Sequence, residues 1–420
     1  MDQASPPQAA GDGRGGWLPT RTKLVVVTLL YFSEGLPFGL VNNAISVYFR
    51  VRAISLEEIG LLSILGLAWS LKLLWAPLVD RFGRRCWWIV PAQLAIAFFS
   101  LTLAMLDPVA DKALFWLALT GICLASATQD IAVDAYTIDL LEEKELGPAN
   151  GLRSAAYRLA LIAAGGILVM LSDFFGWSFP FLATASVMAT LALVVSFWPP
   201  CRQKRALLQS PRPLWEQWVA PLSRLFRRPN FWTAVAFIVC FKLGEAMLVA
   251  MSNPFWIDRG FSPGQIGFAV GTLGTLASIA GAVAGGSLTT RWGILKALWI
   301  LGAVQATASL AYTLSALPLA PAFSIYFAAL LESLAIGLAT SAFLSFLMKV
   351  CDKRFSATHY AFLSTLFGLG RSVAGLAGGL SAGPLGYPVF FSLTFLVGLA
   401  PLLLLFRLKP VLAWVEPEES

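Results

Sequence analysis

The chain has one histidine, His359, and charged residues make up only 13% of its 420 positions. A soluble domain carries roughly 25% charge, so an ordinary water-solvated fold is excluded. A single imidazole offers little acid–base chemistry, and no HExxH, GxSxG or phosphate-loop pattern occurs, which argues against an enzyme. The five cysteines (Cys86, Cys123, Cys201, Cys240, Cys351) form no CxxC pair, so neither a zinc site nor a disulfide framework is suggested. No metal and no cofactor is expected. The first 20 residues, rich in Gly, Pro, Ala and Gln, have no apolar core and read as a disordered tail rather than a cleaved signal.

What the chain does have is hydrophobicity, 58% of residues with a mean hydropathy of +0.74. Apolar stretches recur, each long enough to cross a ~30 Å hydrocarbon layer as a helix. Closed barrels would need short alternating strands, which are absent from the pattern. About twelve spans are expected, near 24–48, 57–79, 86–106, 112–140, 150–171, 177–198, 230–257, 264–289, 294–316, 321–349, 358–381 and 385–408. The expected fold class is therefore an all-α membrane protein of twelve transmembrane helices in two six-helix bundles. The bundles are expected at 24–198 and 230–408. A disordered tail at 1–23, a basic linker at 199–229 and a tail at 409–420 flank them.

The net charge of +7 reflects loops, not nucleic-acid binding. Lys and Arg concentrate on alternate loops: the N-terminal tail, "DRFGRR" (Asp80 to Arg85), the central segment and the C-terminal tail lie on one side. The other side holds only Arg50, Arg52, Lys112 and Arg259. The positive-inside bias then places both termini in the cytosol. Fifteen tryptophans, mostly at span ends, read as interfacial anchors.

The halves repeat. "SLEEIG" (Ser55 to Gly60) opens the second span and "SPGQIG" (Ser262 to Gly267) the eighth. "DRFGRR" closes the second and "TRWGILK" (Thr290 to Lys296) the eighth. "YRLALIAAGG" (Tyr157 to Gly166) in the fifth echoes "GRSVAGLAGG" (Gly370 to Gly379) in the eleventh. Three motifs in one order imply a pseudo-two-fold axis along the membrane normal.

A charge inside a bilayer costs a few kcal/mol or more, so it faces a cavity or a partner. Sorted by span, the embedded charges are Glu34 in the first, Lys72 in the second, Asp130 and Asp134 in the fourth, and Arg153 and Arg158 in the fifth. Lys242 and Glu245 lie in the seventh, Glu332 in the tenth and Arg371 in the eleventh. Asp130 and Asp134 share a helix face. Asp134 and Arg158 lie at a similar depth, about 12 Å from the turn joining their spans, so a pair from Asp130 or Asp134 to Arg158 is expected. Its two readings are a proton-sensitive pair and a fixed structural bridge. Gly35 and Pro37 are expected to break the first span beside Glu34, and "SNP" (Ser252 to Pro254) the seventh. Glu34 could instead pair with Lys72, and Lys242 with Glu245. Glu332 is a protonation candidate. His359 is expected as a solvated helix-end residue rather than a proton relay.

Six plus six spans joined by a basic linker resembles the major facilitator superfamily. "SEGLP" (Ser33 to Pro37), "IGLLSILGLAWSLKLLWAPLVDRFG" (Ile59 to Gly83), "ATQDIAVDAY" (Ala127 to Tyr136) and "YRLALIAAGG" are similar to the AmpG-type permeases. Siderophore permeases and acetyl-CoA transporters are related branches. The resemblance implies that spans one, four, seven and ten line a central cavity, where the embedded charges lie. It adds Gln129 and Tyr136 to the substrate and proton residues. It makes Asp80, Arg81, Gly83 and Arg84, with Asp139 as partner, a cytosolic gate.

It further implies proton-driven import of anhydromuropeptides across the bacterial inner membrane by a monomer. Its partners would be a small-molecule substrate, protons and the lipid bilayer. One departure is that the best-known AmpG permeases carry extra spans beyond twelve. Lys72, Arg158, Lys242 and Arg371 suit an anionic solute, whether muropeptide, siderophore or acyl-CoA. A non-transporting membrane sensor is the alternative of another class.

Overall fold

The computed structural model describes residues 19–81, 84–141, 145–197, 223, 225–351 and 356–412. In lipid every backbone polar group must be satisfied within its own segment, and the described chain is helical throughout. The helices are α1 (Thr20–Val51), α2 (56–81), α3 (Cys86–Met105), α4 (Lys112–Leu140), α5 (146–175) and α6 (Ser178–Phe197). The second six are α7 (Phe231–Asp258), α8 (Pro263–Trp292), α9 (Ile294–Ser315), α10 (Ser324–Val350), α11 (Ser356–Leu385) and α12 (Tyr387–Arg407).

Ten of these, among the described residues, are long and apolar enough to cross a membrane. The two that fall short are α2 and α11, and they pack on each other between the bundles. Many hydroxyls inside the spans are hidden by bonding back to their own helix. Thr120, Thr128 and Ser186 each donate to the carbonyl four residues earlier, at 2.8 Å.

The internal repeat has a structural counterpart. Ser55 accepts from the Glu58 amide at the start of α2. Ser262 and Gln265 form a complete capping box at the start of α8. The repeated glycines then meet across the halves, α2 on α11 and α5 on α8. A Cβ at Gly60 would lie 2.8 Å from Gly379 Cα, and one at Gly166 would lie 3.1 Å from the Gly271 carbonyl carbon. Small residues allow such backbone contact, a main source of helix association in lipid.

The breaks lie elsewhere than expected. α1 stays α-helical through Gly35 and Pro37 and becomes π-helical over Leu40–Ala44. Gly35 instead gives room to α5, since a Cβ there would lie 2.7 Å from the Tyr157 carbonyl oxygen. α7 runs unbroken through Pro254, and its interruption is at Phe241 and Lys242. α2 is interrupted at Gly66 and across Lys72–Trp75. Further π segments occur in α5 (Ala163–Ile167) and α8 (Gly267–Gly274), where those helices touch.

His359 is fully buried, not solvated. It lies one turn before Leu363 on α11, and that face packs into the core of the second bundle. Cys86 is disulfide-bonded, against the expectation from spacing. The basic linker over 199–222 lies outside the described residues.

Candidate functional site

A cavity of about 800 Å³ lies between the bundles. It is lined from the first half by Phe38, Asn42, Asn43, Trp69, Lys72, Asp134 and others, and from the second by Ala246, Thr365, Phe367, Arg371 and Ser372. It extends to Arg85 and Asp139, near the connection from α4 to α5.

The opposite end is closed by contacts across the bundles. Arg50 on α1 donates twice to Asp258 on α7, at 2.5 and 2.7 Å, and Tyr387 on α12 donates to the same carboxylate at 2.6 Å. Asn253 donates to Ser46 at 2.9 Å. Asp173 on α5 accepts from the Ser262 hydroxyl and the Gly264 amide at the start of α8, at 2.8 and 2.7 Å. A carboxylate on exposed amides of a helix start is well placed for the helix dipole.

In the first bundle, Lys72 bonds Asp130. Asp134 accepts from the Tyr31 hydroxyl at 2.6 Å and pairs with Arg153 at 3.2 Å. Arg153 also lies over the Tyr31 ring, 4.5 Å from its centroid. The expected partner Arg158 forms no ion pair with a described residue. Arg153 lies one and a half turns earlier on α5, close to the α4–α5 connection, and the rotation of α5 presents it to Asp134. Glu34 is 6% exposed and forms no pair with Lys72. Glu34, Asp130 and Asp134 each place a carboxylate oxygen within 4.8 Å of the other two. Glu34 Oε2 has no hydrogen-bond partner among the described residues.

The second bundle holds a separate polar cluster. Lys242, 1% exposed, bonds Glu245 as expected, and also donates to Thr340 at 2.8 Å and to Gln305 at 3.3 Å. Gln305 in turn bonds Glu245. Glu332 and Glu245 border a second, small cavity with Gln305 and Ser309.

Of the expected substrate and proton residues, Lys72, Asp134 and Arg371 line the central cavity. Asp130 is joined to it through Lys72. Arg371 lies over the Phe367 ring at 5.6 Å. Gln129 does not line the cavity. It is fully buried and donates to Ser33 at 2.7 Å, tying α4 to α1. Tyr136 packs in an apolar cluster with Val27 and Tyr31. Lys242, Glu245 and Glu332 lie in the interior of the second bundle, away from the central cavity lining.

At the expected gate, Gly83 and the side chains of Asp80 and Arg81 lie outside the described residues. Asp139 accepts from Arg85 Nε at 3.2 Å, and Arg85 also donates to the Val79 carbonyl at 3.0 Å. The expected partner of Asp139 is Arg81 or Arg84; the Arg81 side chain lies outside the described residues, and Arg84 lies over the Trp87 ring at 5.8 Å.

Sequence reasoning missed Tyr31, Arg85, Asn42 and Asn43 as site residues and gave Arg153 no role. Two adjacent amides inside an apolar span are a signal that could have found the asparagines. It also missed Lys23, buried and paired with Glu145 at 3.0 Å, while Thr20 donates to the same carboxylate at 2.6 Å.

Two helical bundles that enclose a charged cavity, sealed at one end, define a membrane transporter. The Major Facilitator Superfamily model matches residues 27–375, and the chain belongs to that family. It is 31% identical over 404 residues to the anhydromuropeptide permease of Escherichia coli (strain K12), covering 94% of this chain and 81% of that protein. A putative transporter of Rickettsia conorii (strain Malish 7), AmpG 4, is 26% identical over 406 residues, with 92% and 96% covered.

Solved structures share the fold. The nucleoside transporter NupG superposes with a TM-score of 0.71 at 13% identity, over 94% of this chain and all of that one. A POT family transporter in complex with 5-aminolevulinic acid gives 0.72 at 11% identity, over 93% and 96%.

Proposed function

We propose that this protein is a secondary active importer of an anionic amphipathic solute of the anhydromuropeptide class, coupled to protons. The observation that carries the solute class is the 31% identity over nearly the whole chain to a protein named for anhydromuropeptide transport. The cavity suits it, being of a size that buries drug-sized ligands. Arg371 supplies positive charge for a carboxylate. The edge-to-face pair of Phe38 and Trp69, with ring centroids 5.1 Å apart, supplies apolar surface.

Coupling is assigned to the carboxylates of the first bundle. With every group ionised, Glu34, Asp130 and Asp134 would bring three negative charges against the two positive charges of Lys72 and Arg153. One unit of negative charge is left over, and a buried unpaired charge is costly. A single proton neutralises it. Release of that proton returns the negative charge, so loaded and unloaded forms favour different arrangements of the bundles. Glu332 is a second proton candidate, in the other bundle.

In the proposed inner-membrane setting, the loop charge supports a cytosolic position for both termini. The cavity then reaches the cytosolic end, and the Arg50–Asp258 end is periplasmic.

The test is uptake of radiolabelled anhydromuropeptide into proteoliposomes, with and without an imposed inward proton gradient. Faster uptake with the gradient is expected. Equal rates would eliminate symport, and no uptake would eliminate the solute class. Competition by a siderophore or an acyl-CoA, without competition by muropeptide, would move the assignment to a related branch.

A further inference from the structure

Lys23 and Glu145 form an ion pair away from the cavity. Lys23 is 1% exposed and Glu145 3%, and neither side chain lines the cavity. Lys23 lies in the first turn of α1, and Glu145 immediately precedes α5. Both carboxylate oxygens are held by α1. Lys23 Nζ donates to one at 3.0 Å, and the Thr20 hydroxyl donates to the other at 2.6 Å.

α1 and α5 meet in a single register. Lys23 and Glu145 are 122 positions apart in the chain, as are Tyr31 and Arg153, Gly35 and Tyr157, and Gly39 and Leu161. Arg153 lies over the Tyr31 ring at 4.5 Å. A Cβ at Gly35 would lie 2.7 Å from the Tyr157 carbonyl oxygen, and one at Gly39 would lie 3.3 Å from Leu161 Cα. A constant offset means that the helices run parallel without slipping. Lys23–Glu145 then lies about 12 Å along them from Tyr31–Arg153.

The strength of each contact decides which one sets that register. The glycine contacts fix how closely the helices approach and form no directional bond. The Arg153–Asp134 pair is 44% and 35% exposed, and a pair so exposed is too weak to hold a helix in place. A buried pair gains little net stability over neutral residues of the same volume, but its bonds are directional and parting its charges is costly. A slip of α5 by one residue, about 1.5 Å, would stretch both bonds to Glu145.

We infer that Lys23 and Glu145 are positioning residues: their pair fixes α5 against α1 and thereby sets Arg153 between Asp134 and the Tyr31 ring. The functional weight of that placement rests on the reading of Asp134 as a coupling carboxylate.

The experiment uses the full-length chain in proteoliposomes. The double variant Lys23→Met with Glu145→Gln removes both charges at once, a replacement that buried pairs tolerate, and Lys23→Arg keeps the pair. Nitroxide labels on cysteines introduced at Val25 and Gly151, both exposed, report the register with no solute present. Gly151 lies in the turn of α5 that carries Arg153, and a side chain there meets nothing within 4 Å. The double variant is expected to shift the label separation by about 1.5 Å, one residue of helix rise, and Lys23→Arg to leave it in place. Gradient-driven uptake is expected to fall by about fivefold or more in the double variant, to be retained in Lys23→Arg, and to fall no further when Arg153→Gln is added to the double variant. A merely structural tie would give losses that multiply, as independent sites do. An unshifted separation in the double variant would overturn the inference, and so would losses that multiply. If the unmodified chain shows no gradient-driven uptake, the coupling reading fails, and the label separations alone decide the positioning.

Discussion

Gly60 on α2 and Gly379 on α11 bring the two bundles into backbone contact, with a Cβ at Gly60 lying 2.8 Å from Gly379 Cα. Each belongs to a motif repeated between the halves, and the equivalent contact between α5 and α8 is made by Gly166 with Gly267 and Gly271. Gly60→Leu is expected to wedge α2 from α11 at a cost of about 1–3 kcal/mol, the usual range for overpacking. Spin labels placed on α2 and α11 near this contact should report a larger separation in the variant. An unchanged distance would show that the contact does not hold that end together.

Lys72 and Asp130 form the ion pair of the first bundle. Lys72 is 32% exposed on the cavity and Asp130 11%, so removing one partner strands the other charge at a cost below the about 3–5 kcal/mol of a fully buried pair. Lys72→Ala is therefore expected to lower thermal stability and to abolish gradient-driven uptake. The double variant Lys72→Ala with Asp130→Asn should recover much of the stability and none of the coupling. Additive losses in thermal melts of the two single and the double variants would contradict a direct pair.

The Arg50–Asp258 bridge, with Tyr387 on the same carboxylate, is expected to hold the closed end shut. Its side chains are 23% and 26% exposed, so the interaction is weaker than a buried one. A charge-assisted hydrogen bond contributes about 1.5–3 kcal/mol when well formed, which would shift the two-state balance by roughly tenfold or more. Asp258→Ala is expected to raise the alkylation rate of a cysteine introduced at Ser46. If that rate is unaffected, the bridge is not part of the closure.

In the second bundle, Lys242 and Glu332 should respond differently. Lys242 is fully buried and holds Glu245, Gln305 and Thr340 together. Lys242→Met strands Glu245 and is expected to destabilise the fold by about 3–5 kcal/mol. Glu332→Gln removes a carboxylate that has no ion partner among the described residues, and is expected to leave the melting temperature within a few degrees. A large loss of stability in Glu332→Gln would reveal a structural carboxylate there.

Much of this architecture is legible in the residues. The repeated "SLEEIG" and "SPGQIG" segments announce equivalent helix starts, and both prove to be serine caps. The sorting of embedded charges picked out Lys72, Asp134 and Arg371, all of which border the cavity. It also picked out Glu332 and Lys242, which do not. Span membership fixes depth in the membrane but leaves the rotation of each helix open. For the same reason Asp134 pairs with Arg153, and Asp130 with Lys72 on α2, rather than with Arg158. Prolines misled as well. Pro37 and Pro254 lie within continuous helix, while the interruptions fall at Phe241–Lys242 and in π segments at the bundle contact.

The sequence alone determined the class: a chain of membrane-crossing helices, repeated as two similar halves, with its ionisable residues confined to particular spans. It could do so because lipid is an unforgiving solvent, and its demands on length and composition act on each segment separately. Tertiary structure decided which carboxylate meets which cation, which end is closed, and which buried charges reach the cavity. Those outcomes depend on the rotation and approach of helices dozens to hundreds of residues apart, and no local pattern encodes them.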